Sequence, residues 1–285
     1  METVFVNGVL MDRKEAKVDI EDRGYQFGDG IYEVVRVYGG KTFTMKEHME
    51  RFYQSAEKIK LHIPHEMDEL TGLINRLIEA NSIHDGIVYL QATRGVASRQ
   101  HHFPASDVKG SVVAYTKEVP VPQSQMDQGV TVKLIEDVRW LRCDIKSLNL
   151  LGNLLAKEEA ASEGHFEAIL HRGDLVTEGS SSNAFMVKDG VVRTHPATNL
   201  ILNGITRRVI RDVAGSEGIP FQEDAFTLDE LLSADEVFIA STTSEVMPVV
   251  KIGERLVGEG HPGAVTRKLQ GAFRKRIEQE APVAH

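Results

Sequence analysis

Residues 139–149, RWLRCDIKSLN, join a predicted strand to a predicted helix. Lys146 lies in this stretch among apolar neighbours that would partly desolvate its amine. A desolvated lysine loses its proton more easily, which makes it a nucleophile for aldehydes and allows it to form a Schiff base. The alternative is a lysine whose stem follows the strand end and whose amine reaches solvent. The rest of the sequence has to decide between the two.

The segments around this stretch predict alternating strands and helices. Residues 130–138 predict a strand, and residues 148–162 predict a helix that ends near Gly164. Hairpins are expected at residues 168–177 and 185–193, which turn at RGD and DG. The remaining elements are helices at about 205–217, at 228–233 behind the capping box Thr227-x-x-Glu230, and at 263–279, with a strand at 236–240.

The first 118 residues predict a separate α+β unit. A helix should begin near Thr44, because Thr44-x-x-Glu47 has the form of a capping box, and a second helix is expected at about 66–80. The predicted strands lie at residues 4–6, 9–11, 31–38, 42–43, 87–92 and 112–115, with tight turns at Asn7-Gly8 and Gly39-Gly40.

A proline-containing segment, EVPVPQS at residues 118–124, separates these two sets of elements. Two prolines with one residue between them disfavour both a helix and a central strand. We therefore expect an N-terminal domain at 1–118, a linker at 119–124 and a C-terminal domain at 125–285.

A second unusual string, TEGSSSN at residues 177–183, places a carboxylate directly before a glycine and a run of hydroxyls. A buried carboxylate such as Glu178 can hold a pyridine nitrogen protonated, which lets the ring accept electrons from a substrate carbanion. The serines can donate hydrogen bonds nearby. The alternative is an ordinary turn with solvated serines.

Two further segments predict donors for an anion. NGIT at residues 203–206 precedes a helix, so the backbone N–H groups of Ile205 and Thr206 would point out of its N-terminus, where phosphates bind. STTS at residues 241–244 follows a buried strand and offers more amide and hydroxyl donors. Arg51 could add the charge that a phosphate dianion requires. Each feature also has an ordinary explanation as a cap, a turn or a solvated arginine.

The loop RGVASRQHH, residues 94–102, gathers cationic donors and suits the binding of a small carboxylate. Its adjacent histidines also suggest a metal site. No cysteine or glutamate stands at ligand spacing, so we expect no metal. The alternative is a solvated loop without a role.

Composition excludes several classes of partner. The 285 residues carry 33 basic and 42 acidic side chains, a formal charge of −9, which does not suit nucleic acid or anionic lipid. No stretch approaches the roughly 18 to 20 apolar residues that span a bilayer, and Met1-Glu2-Thr3-Val4 does not begin a signal segment. The single cysteine, Cys143, excludes an intramolecular disulfide, and we expect a cytoplasmic location.

Five strings in this order resemble the fold-type IV pyridoxal-phosphate enzymes over nearly the whole chain: DRGYQFGDGIYE (22–33), KSLN (146–149), EGSSSN (178–183), GIT (204–206) and STTS (241–244). Within that group, YEVV (32–35), Arg99-x-His101 and WLRCDIK (140–146) are most similar to bacterial D-amino-acid aminotransferases. The joint pattern favours the chemical reading of Lys146 and Glu178 over the ordinary ones.

The resemblance implies a two-domain fold of mixed α+β and α/β character, with the active site between the domains and at the interface of a homodimer. The C-terminal domain would bind the cofactor. Lys146 would hold pyridoxal 5'-phosphate as a Schiff base and move the substrate proton, and Glu178 would pair with the pyridine nitrogen. The remaining cofactor contacts would be Arg51, Ile205, Thr206, Ser241 and Thr242 at the phosphate, Leu202 at the ring, and Ser180, Ser181 and Tyr32 beside it.

The resemblance also implies the reaction. Tyr32, together with Arg99 and His101 of the partner subunit, would hold the substrate carboxylate. Since the lysine reaches the α-carbon from one face, that placement presents the hydrogen of a D-amino acid. The implied reaction exchanges amino groups between D-amino acids and 2-oxo acids by a ping-pong cycle, for example D-alanine plus 2-oxoglutarate giving pyruvate plus D-glutamate.

Other activities stay open on the same scaffold. A branched-chain L-aminotransferase and an aminodeoxychorismate lyase would both keep Lys146 and Glu178, and an (R)-amine transaminase is a further possibility. The Arg99-x-His101 loop and the YEVV form at residues 32–35 argue against the first two. A catalytically silent binding protein of the same fold could dispense with the lysine, so Lys146 argues against that class.

Overall fold

The computed structural model describes residues 2–281. By the density of their internal contacts these residues form two compact units. The first unit contains residues up to Pro120 together with Ile145–Asn149 and Glu280, and the second contains Val121–Asp144 and Leu150–Gln279. The segment with Lys146 therefore belongs to the first unit, although the chain enters it from the second.

The first unit is an antiparallel sheet covered by helices. In chain order its elements are β1 (Thr3–Val6), β2 (Val9–Asp12), α1 (Arg23–Phe27), β3 (Gly30–Tyr38), β4 (Lys41–Thr42), α2 (Met45–Lys58), α3 (Met67–Ala80), β5 (Gly86–Thr93) and β6 (Ser111–Glu118). Within residues 2–281 the strand order is β2-β1-β6-β5-β3-β4. The predicted hairpins and both long helices are confirmed.

The core of the first unit follows from strand alternation. Side chains at every second position of β3 face the same side of the sheet, and Ile31 and Val35 are fully buried there together with Val37. α2 packs against β3, and α3 packs against β1 and β6, each with an apolar face. This core fixes the strand that carries the candidate site residues Tyr32 and Glu33.

The second unit is a mixed sheet with helices. In chain order its elements are α4 (Gln123–Gln128), β7 (Val130–Glu136), α5 (Leu151–Ser162), β8 (Glu167–Arg172), β9 (Leu175–Gly179), β10 (Asn183–Lys188), β11 (Val191–Thr194), α6 (Ile205–Ser216), β12 (Phe221–Glu223), α7 (Leu228–Leu232), β13 (Glu236–Ser241), β14 (Glu245–Ile252), β15 (Arg255–Leu256) and α8 (Ala264–Glu280). In the described part of the chain the strands follow the order β12-β11-β10-β13-β14-β7-β8-β9, and β15 pairs with β14.

Helix caps separate a correct prediction from a wrong one. Thr227 caps α7 as predicted, because its hydroxyl accepts from the Glu230 N–H while the Glu230 carboxylate accepts from the Thr227 N–H. Thr44 forms no such box. Its backbone is left-handed with φ 52°, its hydroxyl donates to the Phe43 carbonyl at 2.8 Å, and its N–H donates to Glu280 at 3.3 Å.

The predicted start of one helix is wrong. The sequence predicts helix from residue 148, but α5 begins at Leu151 because the preceding segment pairs with β3 instead. The Leu148 N–H donates to the Gly30 carbonyl and the Tyr32 N–H donates to the Lys146 carbonyl, both at 3.0 Å. Residues 145–149 thus lie along the start of β3.

Gly30 is required for this pairing. A Cβ added to it would lie 2.5 Å from the Ala92 carbonyl oxygen and 2.8 Å from Leu148 Cδ1, both well inside van der Waals contact. The backbone oxygen cannot move away without breaking the β3–β5 pairing, in which Ile31 lies opposite Ala92.

We expect Gly30→Ala to destabilise the protein by about 1–3 kcal/mol through this overpacking. Gly72→Ala is the matched control, because a Cβ there on helix α3 meets nothing within 4 Å and should add about 0.5–1 kcal/mol through helix propensity. Urea unfolding of the two variants measures both effects. Equal stability of the two variants would contradict the assigned role of Gly30.

Candidate active site

Lys146 is held by backbone bonds on both sides of its Cα. Its carbonyl accepts from the Tyr32 N–H, and its own N–H donates to the Ser55 hydroxyl at 3.3 Å. Ser55 is buried on α2, so strand and helix together fix the lysine backbone. The position of its Cα is therefore set by the core of the first unit.

The Lys146 side chain is half-buried and lies against an aromatic ring. Its Nζ is 4.2 Å from the centroid of the Tyr32 ring, a cation–π distance. Among the described residues of the first unit, no carboxylate pairs with this amine. An amine that is positioned but not neutralised is available to react with an aldehyde.

A buried ionic cluster lies on α2 and β3 in the same unit. The Arg51 Nε and Nη2 atoms donate to Glu33 at 2.7 and 3.0 Å, and His48 Nδ1 lies 2.6 Å from Glu33 Oε2. Burial alone would raise the pKa of Glu33, but Arg51 and His48 hold it well below its ordinary value. Burial lowers the pKa of His48 despite the attraction of Glu33.

The sequence predicts a phosphate contact for Arg51, and the structure places its guanidinium on Glu33. The phosphate contact stays a prediction. The sequence carried a signal for the cluster that the prediction did not use: strand alternation puts Glu33 on the core face with Ile31 and Val35, and His48 and Arg51 share one face of a helix at i and i+3. A charged residue at a core position requires a buried partner.

Glu178, at the end of β9 in the second unit, is a buried carboxylate with three donors. Its Oε1 accepts from Arg139 Nη1 at 2.7 Å, and its Oε2 accepts from Asn183 Nδ2 and from the Leu202 N–H, each at 3.0 Å. Burial raises the pKa of Glu178 to about 7, and the Arg139 charge opposes that rise. Sequence reasoning found Glu178 but not Arg139.

Leu202 contributes its backbone to this arrangement. Besides donating to Glu178 through its N–H, it accepts from Asn183 Nδ2 at 2.9 Å through its carbonyl. Asn183 thus bridges the carboxylate and the turn that leads into α6. The half-buried Leu202 side chain is predicted to contact a cofactor ring, and that role stays a prediction.

The serine run after Glu178 is organised by a carboxylate that the sequence did not single out. Glu167 is buried, and the hydroxyls of Ser180 and Ser181 donate to its two carboxylate oxygens, the latter at 2.7 Å. Asn153 Nδ2 donates to the Ser180 carbonyl at 2.7 Å. The run is therefore a fixed turn rather than a solvated one. Cofactor contacts of Ser180 and Ser181 stay predictions.

The predicted anion donors lie at the start of α6 and after β13. Gly204 is the N-cap of α6, and Ile205 and Thr206 are its first two residues, both buried. The first N–H groups of a helix have no partner within it, so they are available to an anion. Ser241 ends β13 and Thr242 follows it, both half-buried, and the Ser241 hydroxyl accepts from the N–H three residues later at 3.2 Å. α6 packs against β13.

The Arg99 and His101 loop packs on Phe27 in the first unit. The Arg99 guanidinium lies 4.9 Å from the Phe27 ring centroid, and the His101 ring meets the same ring edge-on at 5.8 Å. Both side chains are exposed. Arg23, which pairs with Asp29 at 2.8 Å, donates to the Gln100 carbonyl at 2.7 Å and so anchors the loop between its two cationic residues.

Two other searches cover the described residues alone. Residues 2–281 contain no group of three or more His, Cys, Asp or Glu side chains arranged to hold a metal ion. In the same part of the chain, no helix combines the length and apolar character needed to cross a membrane.

Comparison with known proteins gives the family. A profile of the family described as amino-transferase class IV matches residues 30–252. The chain belongs to the class IV aminotransferase family. It is 54% identical to the D-alanine aminotransferase of Staphylococcus epidermidis over 281 residues, which cover 99% of this chain and 100% of that relative.

Solved members of the class IV aminotransferase family share the fold. The Escherichia coli branched-chain amino acid aminotransferase has a TM-score of 0.91 at 28% identity, with 96% of this chain and 94% of that chain covered. A thermophilic branched-chain amino acid aminotransferase, from T.th. and solved with pyridoxamine 5'-phosphate, has a TM-score of 0.91 at 28% identity, with 99% and 95% covered. The predicted fold-type IV architecture is confirmed.

The raised pKa of Glu178 predicts a pH dependence of stability in the cofactor-free protein. Because the folded value of about 7 exceeds the ordinary 4.5, this group stabilises the fold fully below 4.5 and loses that contribution as pH rises towards 7. Glu178→Gln cannot titrate. We expect the free energy of unfolding of the wild type, minus that of this variant, to fall across that window and then level off. A difference that stays constant with pH in urea unfolding would refute the assignment.

Proposed function

We propose that this chain is a pyridoxal-phosphate-dependent aminotransferase that exchanges amino groups between D-amino acids and 2-oxo acids. The reaction we assign is D-alanine plus 2-oxoglutarate giving pyruvate plus D-glutamate. The observation that carries the proposal is the Lys146 amine, which is fixed by backbone bonds, packed on Tyr32 and without a carboxylate partner among the described residues of its unit.

The side chains present fit this cofactor. Lys146 offers an amine for its aldehyde, Glu178 a buried carboxylate for its ring nitrogen, and the start of α6 N–H groups for its phosphate. When bound, pyridoxal phosphate supplies an aldehyde and an electron-accepting ring. The branched-chain relative solved with pyridoxamine 5'-phosphate supports the same cofactor for this chain.

Lys146 has two tasks in this proposal. Its amine holds the cofactor aldehyde while no substrate is bound. Once the substrate amine has taken that place, the released Lys146 amine removes the proton from the substrate α-carbon and returns it to the cofactor carbon that carried the aldehyde. The backbone bonds to Tyr32 and Ser55 keep the amine on one face of the substrate throughout.

Glu178 supplies negative charge where the ring nitrogen binds. In its carboxylate form it stabilises a protonated ring nitrogen, and a protonated ring draws electrons from the α-carbon more strongly. Its contacts with Arg139, Asn183 and the Leu202 N–H hold both carboxylate oxygens in place before any ligand arrives.

The remaining cofactor contacts rest on the family pattern and on the location of the residues. Ile205 and Thr206 provide backbone donors at the start of a helix, and Ser241 and Thr242 provide donors after a strand. We assign all four to the phosphate, with Arg51. The other assigned contacts are Leu202 against the ring and Ser180, Ser181 and Tyr32 beside it.

The choice of D-amino acids depends on where the substrate carboxylate is held. We assign that contact to Tyr32, Arg99 and His101. With the carboxylate there, a D-amino acid directs its α-hydrogen towards Lys146, and an L-amino acid directs its side chain. Relatives support the assignment, because identity is 54% to a D-alanine aminotransferase and 28% to the solved branched-chain enzymes.

A homodimer with shared sites completes the proposal. Leu151, Leu154 and Leu155 lie on one face of α5 and are 70%, 61% and 60% exposed, an apolar surface typical of an interface. Arg99 and His101 are exposed as well, as expected of residues that serve a site in the other subunit. A cytoplasmic location and the absence of a nucleic-acid partner stay predictions from composition.

The experiment that tests the function supplies D- and L-enantiomers of alanine, glutamate and leucine separately, with an oxo-acid acceptor, and measures the keto acid formed. We expect turnover of D-alanine and D-glutamate, with L-enantiomers slower by at least about a hundredfold, a difference of roughly 3 kcal/mol. Turnover of only L-leucine and L-glutamate would instead identify a branched-chain aminotransferase. Release of pyruvate from aminodeoxychorismate would identify the lyase.

Shared sites predict complementation between two defective subunits. Lys146→Ala and Arg99→Ala homodimers should both be impaired, whereas a purified heterodimer carries one site with both defects and one intact site. We expect it to reach roughly half the wild-type activity. A heterodimer no more active than the better parent would mean that each subunit supplies its own Arg99.

A further inference from the structure

Arg139 is the cationic donor to Glu178 in the second unit. Its Nη1 donates to Glu178 Oε1 at 2.7 Å, and both side chains are only 6% exposed. The other two donors to Glu178, Asn183 Nδ2 and the Leu202 N–H, are neutral and bind Oε2. One oxygen of this carboxylate therefore faces a guanidinium, and the other faces dipoles.

A second carboxylate fixes the orientation of Arg139. Its Nε and Nη2 donate to the two oxygens of Asp137 at 2.9 and 2.8 Å, and the Asp137 side chain is fully buried. Asp137 also accepts from Arg172 Nε at 3.1 Å and from the Thr177 hydroxyl at 3.0 Å. The guanidinium is thereby held in a fork with Nη1 directed at Glu178.

The charges of this group balance. Two carboxylates, Asp137 and Glu178, lie with two guanidiniums, Arg139 and Arg172, so the buried network is neutral overall when all four are ionised. Without Arg139, Glu178 would keep only neutral donors in a buried place, and burial favours the uncharged acid. An uncharged acid cannot balance a protonated ring nitrogen.

We propose that Arg139 is a positioning residue that keeps Glu178 ionised and fixes its carboxylate for a protonated heterocyclic nitrogen. This inference rests on the proposed function, because it assigns the nitrogen to the pyridine ring of the cofactor. Arg139 acts through Glu178 and does not touch the ring. Its effect on Glu178 exists whether or not the cofactor is present.

The test follows the ionisation of Glu178 directly in the cofactor-free protein, by infrared carboxyl absorption against a Glu178→Gln reference. We expect Arg139→Met to move the protonation midpoint of Glu178 upward by about one pH unit or more. Arg139→Lys keeps a charge but cannot reach both carboxylates, so its midpoint should lie between those of the wild type and the methionine variant.

The matched control is Arg172→Met, which also removes a guanidinium from Asp137 but not from Glu178. It should leave the Glu178 midpoint close to the wild-type value. If both methionine variants shift the midpoint equally, or if Arg139→Met does not shift it, the proposal is wrong. Should Arg139→Met fail to fold, the lysine variant decides: a midpoint identical to the wild-type value overturns the proposal.

A second readout measures binding of pyridoxal phosphate by the cofactor-free proteins. We expect the dissociation constant to rise about tenfold in Arg139→Met, to rise less in Arg139→Lys, and to change little in Arg172→Met. Failure of the wild type to bind the compound would overturn the proposed function, whereas the infrared titration would still judge Arg139. An unchanged dissociation constant in Arg139→Met, with a normal wild type, would overturn the role assigned to Arg139.

Discussion

The pairing of residues 145–149 with the start of β3 is the constraint on which the lysine depends. Two backbone hydrogen bonds, from Tyr32 to Lys146 and from Leu148 to Gly30, hold a segment that the chain reaches from the other unit. Gly30 permits the close approach, and Ser55 adds a bond from α2. A flexible side chain thereby gains a fixed origin, which is what a proton transfer at one face of a substrate requires.

The second unit applies a different principle, because its contribution is electrostatic. Glu178 is buried, which favours its neutral form, and it is surrounded by donors that favour the carboxylate. Such opposed forces leave the group sensitive to one neighbouring charge. Arg139, and the cation expected at a ring nitrogen, both act in the direction of ionisation. On this account Glu178 becomes fully ionised as its ligand binds.

Sequence reasoning succeeded where the information was local. The hairpin at Asn7-Gly8 and the capping box at Thr227 depend on neighbouring residues, and both are confirmed. It failed where distant residues compete: Thr44 has a left-handed backbone, and its N–H bonds to the distant Glu280 instead of closing a capping box. The partners of Glu33 and Glu178 are also distant in the chain. Lys146 and Glu178 were found through the joint order of motifs.

Borohydride reduction followed by peptide mapping tests the central claim most directly. The reagent makes a reversible link between an amine and an aldehyde permanent, so the attachment point survives digestion and is read by mass spectrometry. For the holoprotein, the account predicts a phosphopyridoxyl group on Lys146 and on no other lysine. An unmodified Lys146, or a label at another lysine, would contradict it.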